Sequence, residues 1–334
     1  MLNPNTLPPW LAQQTRQLLA QRGHAWLLQG PSGLGQYSLA LALARAWLCE
    51  NATPQGACGT CPSCHAMDVR THADVCVLMP EVQMLALYWP LSEKAQSDLD
   101  EKKRKPSKEI RVEAMRDAVQ FTQRTSARGR GKVVLVFPAE QMNHISANAL
   151  LKTLEEPPGD VKFVLATESA HQLLPTIRSR CLGHTMAWPD AAHASQWLQA
   201  QGLDAQESAG LLQAAGGRPD DALAFKHSGR SPEDWATFPQ AMARGHTAFV
   251  KEWSAPQIVD ALQKLCHDLL ASRYASTPRF FGLADLPPPP DLSVLTAWSK
   301  ALLQTARTME HPFNPGLMQE ALVGQAQSVL HSPH

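Results

Sequence analysis

His24-Ala-Trp-Leu-Leu-Gln29, then Gly30-Pro-Ser-Gly-Leu-Gly35, then Gln36 and Tyr37 form the stretch on which the fold turns. The first six residues are a short apolar run, the next six a glycine-rich break, and Tyr37 to Leu48 follows with alanine and leucine at helical spacing. Strand, glycine turn and helix in that order open a nucleotide-binding α/β domain. Further apolar runs at Asp74 to Met79, Lys132 to Phe137 and Lys162 to Thr167 predict buried parallel strands. Helical patterns lie between them at Arg111 to Gln123 and Ser146 to Glu155. The alternation predicts a three-layer α/β domain with a parallel sheet, ending near residue 186.

Beyond Pro189 the strand signal stops. Short helices are expected at Gln196 to Gln201, Ala205 to Ala215 and Asp220 to His227, a small lid over 187–228. Longer ones are expected at Pro256 to Tyr274 and Asp291 to Glu310, in an all-α domain over 229–334, with Leu286-Pro-Pro-Pro-Pro-Asp291 as a stiff connector. Ser92 to Glu109, crowded with Lys, Glu, Asp and Ser, reads as a charged insert forming a solvated loop, with a DNA-contacting basic patch as the alternative.

A phosphate loop follows the pattern G-x-x-x-x-G-K-S/T, whose lysine neutralises the β- and γ-phosphates and whose hydroxyl ligates Mg²⁺. Gly30 and Gly35 hold the glycine positions, with Gly33 between them, but Gln36 and Tyr37 replace the lysine and the hydroxyl. Alone, that is also how an ordinary strand-to-helix turn looks. The second half of such a site is an Asp after the strand Val133 to Phe137, and here Pro138 and Ala139 stand instead. Glu140 falls one place beyond a catalytic Glu and is expected to be a surface carboxylate. With both halves defective, ATP turnover by this chain is not expected, and nucleotide binding is left open.

Cys49, Cys58, Cys61 and Cys64 give C-x8-C-x2-C-x2-C, four thiols with two pairs at knuckle spacing. That pattern suits tetrahedral Zn²⁺ in a closed, structural site over 49–64. Cys61-Pro-Ser-Cys64-His65 also spells a c-type haem motif, which would leave Cys49 and Cys58 unexplained. Cys76, Cys181 and Cys266 read as buried thiols.

Asn148-Ala-Leu-Leu-Lys-Thr-Leu-Glu-Glu-Pro-Pro158, the strand Phe163 to Thr167 and Thr176-Ile-Arg-Ser-Arg-Cys181 closely resemble the bacterial DNA polymerase III clamp-loader subunits of the AAA+ superfamily. The broken loop resembles the delta-prime branch and departs from the gamma/tau motor branch. The likeness covers Pro8 to Leu223; beyond it only length and helical character match. It implies that Arg180, by itself an ordinary ion-pair arginine, is an arginine finger reaching a neighbour's ATP in trans. It places Thr167 at a sensor position, Asp220 where a second sensor arginine would stand, and Lys152, Glu155 and Glu156 in architectural roles. It agrees with zinc at the cysteines. The implied assembly is a hetero-oligomer with gamma/tau ATPase subunits, a delta subunit, the sliding clamp (weakly or indirectly) and primed DNA, joined through the C-terminal domain as a collar. An active ATPase with an atypical loop, or a zinc-dependent nucleic-acid-binding protein, are the competing classes.

Lys+Arg and Asp+Glu are both 30, so no global basic field holds nucleic acid. No stretch approaches the roughly 20 apolar residues of a membrane span. Met1 to Arg16 has no basic region followed by an apolar run. No membrane partner is expected; a cytoplasmic location with reduced thiols is.

Overall fold

In the computed structural model, which describes residues 7–309 and 314–332, the chain falls into two compact units, one ending at Pro189 and the other starting at Asp190. The first begins with α1 (Pro9–Leu19), started by a proline at its first turn, and β1 (Ala25–Gln29), in which Ala25 to Leu28 are all buried. Next come α2 (Gln36–Leu48), α3 (Pro62–Asp68) and β2 (Val75–Leu78). They are followed by α4 (Glu81–Ala86), α5 (Glu93–Asp100), α6 (Val112–Gln123) and β3 (Lys132–Val136). The unit ends with α7 (His144–Glu155), β4 (Val161–Thr167), the one-turn α8 (Pro175–Arg178) and β5 (Leu182–Thr185).

The five strands form one sheet in the order β2-β3-β4-β1-β5, every pair parallel. Helices cover both faces, which is why the central strands are continuous apolar runs and not alternating ones. Successive residues of β3 still separate by face. Val134 and Val136 pack with Phe163 and Leu165 against Met115 and Ala118 of α6 and Leu150 and Leu154 of α7. Val133 points the other way, into Ala44 and Leu48 of α2 and Met67 of α3. The predicted strands and helices of this unit are present within a residue or two of their expected limits.

Two parts differ from expectation. β5 was not anticipated: it is an edge strand of Leu, Gly, His and Thr, largely exposed, ordered by pairing with β1 from Trp26↔Leu182 to Gln29↔Thr185. The segment 92–109 is not a solvated loop. Ser92 caps α5 by accepting from the Ala95 N–H, and Arg104 places its guanidinium on the buried carboxylate of Glu81, with Asp98 at 3.4 Å. The Ser107 N–H also donates to Glu81 at 2.8 Å. The charge run is therefore partly consumed in folding the segment onto α4.

The second unit is all helical: α9 (Ala191–Ala200), α10 (Ala205–Ala214), α11 (Pro219–His227), α12 (Pro232–Ala243), α13 (Ala255–Arg273), α14 (Leu292–Thr308) and α15 (Pro315–Leu330). Capping boxes start α12 (Ser231, Asp234) and α13 (Ser254, Gln257). Its centre is aromatic: Trp235 stacks on Phe281 at 4.6 Å and Phe238 on Trp253 at 5.4 Å. The fully buried Asp268 carboxylate accepts from the backbone N–H groups of Arg279, Phe280 and Phe281, which ties the loop after α13 to that centre. Glu310, the expected end of α14, and the first six residues of the N-terminal reading lie outside the described residues. Among the described residues no helix is long and apolar enough to cross a membrane.

Candidate functional site

β1 delivers the chain into the glycine loop, and α2 leaves it. Gly33 and Gly35 have φ of +78° and +87°, a region glycine enters without strain. At Gly30 a Cβ would stand 2.9 Å from the Cβ of Met186. Gln36, 3% exposed, turns its amide back into the loop and donates to the carbonyls of Gly30 (2.7 Å) and Pro31 (2.6 Å). A lysine at that position would carry its ammonium out to phosphate; here the side chain is spent on the loop itself. Tyr37 accepts a hydrogen bond from Trp89 Nε1 at 2.7 Å and packs its ring 5.5 Å from Phe137, while the Arg70 guanidinium lies 4.8 Å over Trp89. Burial raises the Tyr37 pKa, against the opposing effects of Arg70 and the Trp89 bond, so the group is a neutral phenol. Trp89, from the segment between α4 and α5, lies in the apolar run Leu85 to Leu91, to which the sequence reading assigned no role.

On the acidic side Pro138 leads out of β3, and Glu140 is not a free surface carboxylate. It accepts from the Thr167 hydroxyl at 2.6 Å and from the Glu168 N–H at 3.0 Å. Thr167, at the end of β4, is 0% exposed; its hydroxyl donates to Glu140 and accepts from the Ser169 N–H at 3.2 Å. The structure thus joins two residues that the sequence reading had kept apart.

Arg180 sits between α8 and β5. Its Nη1 donates to the Thr176 carbonyl at 2.8 Å and its Nη2 pairs with the Glu155 carboxylate at the end of α7. The sheet register locates it relative to the loop. Trp26 pairs with Leu182; Gly30 lies four residues beyond the first and Arg180 two before the second. Gly30 follows the C-terminal end of β1 and Arg180 precedes the N-terminal end of β5, so they lie toward opposite ends of this parallel pair.

The four cysteines converge. Cys49 caps the end of α2, and Cys61 caps the start of α3 with Pro62 in its first turn. All four Sγ atoms lie within 4.8 Å of one another, and Cys49 and Cys61 are 3.8 Å apart, unbonded. A tetrahedral metal with bonds of about 2.3 Å to sulfur has S–S edges of about 3.8 Å. The Cys58 N–H donates to Cys49 Sγ (3.2 Å) and the Cys64 N–H to Cys61 Sγ (3.4 Å), as thiolate ligands require. Backbone donors, led by the Thr60 N–H, bring Cys58 down to about 6, while burial pushes Cys64 up to about 12. Glu50, next in sequence, accepts from the Ser63 N–H and hydroxyl and from Arg128, bracing the module against the loop before β3. Four soft sulfurs without a carboxylate or histidine fit a closed zinc site. Cys76, Cys181 and Cys266 lie outside it, and burial pushes each thiol up to about 12. In the second unit, Asp220 stands in the first turn of α11, where burial and then Asp221 push its carboxyl up to about 6.

Comparison with known proteins agrees with this geometry. Residues 11–188 match the family model described as DNA polymerase III, delta subunit. The DNA polymerase III subunit delta' of Pseudomonas aeruginosa is 36% identical over 266 residues, 79% of this chain and 68% of that protein. That of Escherichia coli is 34% identical over 223 residues, 65% of this chain but only 60% of the relative's length. A crystal structure of a DNA polymerase III gamma subunit-related protein from Thermotoga maritima shares the fold, with a TM-score of 0.51 at 17% identity over 96% of this chain and 100% of that one. A matched region longer than half the chain, on a parallel sheet opened by a glycine loop, shows that the chain belongs to the delta-prime family of DNA polymerase III subunits, in the AAA+ superfamily.

Proposed function

We propose that the chain is a non-hydrolysing subunit of the replicative clamp loader, which places a sliding clamp on primed DNA. The observation that carries this reading is the pairing of a phosphate loop closed by its own Gln36 with an arginine at the opposite ends of the strands. The chain neither turns over ATP nor needs to. Arg180, a permanently charged group, would instead reach the γ-phosphate of ATP held by a gamma/tau neighbour and stabilise the charge that spreads in phosphoryl transfer. Arginines supplied in this way raise kcat by roughly 10³–10⁵ in related phosphoryl transfers.

The remaining parts follow from the same reading. Residues 187–228 act as a lid remnant and 229–334 as the collar that joins a cytoplasmic hetero-oligomer with gamma/tau and delta subunits, primed DNA being shared among chains and the clamp touched weakly. Cys49, Cys58, Cys61 and Cys64 hold a structural Zn²⁺, which would cross-link the end of α2 to the start of α3. The test is reconstitution with the partner subunits, comparing wild type with Arg180→Ala. The variant assembles but loses DNA-stimulated ATPase and clamp loading; unchanged rates would sink the finger assignment, and ATP turnover by the isolated chain would sink the non-hydrolysing one.

A further inference from the structure

We infer that Glu155 is the positioning residue for Arg180, holding its guanidinium in one direction before a neighbouring subunit arrives. The inference rests on the finger reading given above and assigns to that site a residue which, from sequence, had only an architectural role.

Glu155 ends α7, and that helix is anchored in the core by Leu150 and Leu154, 1% and 0% exposed. Its carboxylate is therefore presented from a rigid element, and Pro157-Pro158 stiffens the exit just beyond. A negative charge in the last turn of a helix opposes the helix dipole, so local electrostatics gives no reason for it. Arg180 supplies the reason, because its Nη2 pairs with that carboxylate. Arg180 itself follows the four-residue α8 and precedes an exposed edge strand, a setting in which a long side chain would otherwise sample many rotamers.

Two anchors from two elements define the plane of the guanidinium. The Thr176 carbonyl takes one N–H of Nη1 at 2.8 Å, and Glu155 takes one of Nη2. A guanidinium has five N–H groups in a fixed fork; Nη1 also reaches the Ser179 hydroxyl at 3.5 Å, and the second hydrogen of Nη2 remains for an incoming anion. The side chains are 28% and 53% exposed, so water screens the pair and its value to stability is small. What the contact provides is direction. It is also weak enough to rearrange when a phosphate competes for the same nitrogen.

The experiment uses the loader reconstituted with its ATPase-active partner subunits and measures DNA-stimulated ATP hydrolysis over a range of ATP concentrations. Glu155→Ala is expected to lower kcat about five-fold, a fraction of the loss in Arg180→Ala, with KM for ATP unchanged. Glu155→Gln, which keeps an acceptor but no charge, is expected to fall between wild type and Glu155→Ala. In an Arg180→Ala background, Glu155→Ala should add nothing, since it acts only through that arginine. Unfolding midpoints of the isolated variants should match wild type within about 2 °C for so exposed a pair. Wild-type kcat in Glu155→Ala alongside an impaired Arg180→Ala overturns the inference and leaves the finger standing. Losses that multiply in the double variant also overturn it, making Glu155 structural. An Arg180→Ala loader with wild-type rates removes the finger and this inference together.

Discussion

Removing the Glu140 carboxylate tests whether its contact with the end of β4 is a structural joint. Glu140→Ala leaves the Thr167 hydroxyl, which has 0% exposure and donates across 2.6 Å, without an acceptor. An orphaned buried donor costs about 1–3 kcal/mol, and a hydrogen bond to a charged acceptor contributes about 1.5–3 kcal/mol. The Glu168 N–H, bonded at 3.0 Å to the same carboxylate, is exposed and can turn to water. Glu140→Ala is thus expected to destabilise the chain by about 2–3 kcal/mol. Thr167→Val removes the donor and leaves a half-buried carboxylate that water can reach, a loss of about 1–2 kcal/mol. Combined, the two should cost less than their sum by at least about 1 kcal/mol, because the second substitution removes the group orphaned by the first. Urea unfolding of the four chains gives the cycle directly. Additive losses would mean that the contact carries no coupling and that Glu140 is the solvated carboxylate expected from its sequence position.

Glu81 gives a pH signature. Burial would raise its carboxyl, but Arg104, the Ser107 N–H and Arg111 outweigh that and hold it below the ordinary carboxylate range. A depressed folded-state value means stability that is present above the ordinary carboxylate pKa and lost as pH falls through the lower one. The wild-type chain should therefore lose stability more steeply than Glu81→Gln as pH falls through and below the ordinary carboxylate range; parallel curves for the two would contradict the assignment. Zinc binding to the metal-free chain at pH 7 should release protons, because Cys64, pushed up to about 12, is a thiol until metal arrives, whereas Cys58, down to about 6, is already largely thiolate. Calorimetry in buffers of different ionisation enthalpy counts those protons; a heat independent of buffer would refute it, and retention of the metal should weaken as pH drops.

The α/β frame was legible because buried parallel strands are apolar on both faces, and β3 and β4 show this from Lys132 to Val136 and from Val161 to Thr167. β5 was not, because an exposed Leu-Gly-His-Thr edge has no pattern of its own and is ordered by its neighbour β1. The fold of 92–109 depends on Arg104 reaching Glu81, 23 positions earlier, a pairing that no local charge count contains. Cysteine spacing disclosed the sulfur cluster because knuckle geometry is local. The partners of Glu140, Arg180 and Tyr37 are 27, 25 and 52 positions away, and only the packed sheet brings them within hydrogen-bond distance.

Each glycine of the loop has a reason in the backbone itself. Gly30 is required because a Cβ there would meet Met186 at 2.9 Å, and Gly33 and Gly35 because their φ values are positive. The lysine and hydroxyl of a working loop have no such packing duty, and their positions are taken by groups that satisfy the loop's own atoms. Gln36 donates to Gly30 and Pro31; Tyr37 accepts from Trp89. A lysine restored at 36 would lose nothing by pointing its ammonium at the same two carbonyls. A hydroxyl restored at 37 would leave the buried Trp89 N–H without its acceptor, a cost of about 1–3 kcal/mol before any metal could repay it. Reversal at position 37 therefore meets resistance from Trp89, whereas reversal at position 36 meets none from the two carbonyls. A retained glycine pattern is evidence of backbone geometry; what residue 36 bonds to is evidence of whether phosphate belongs there.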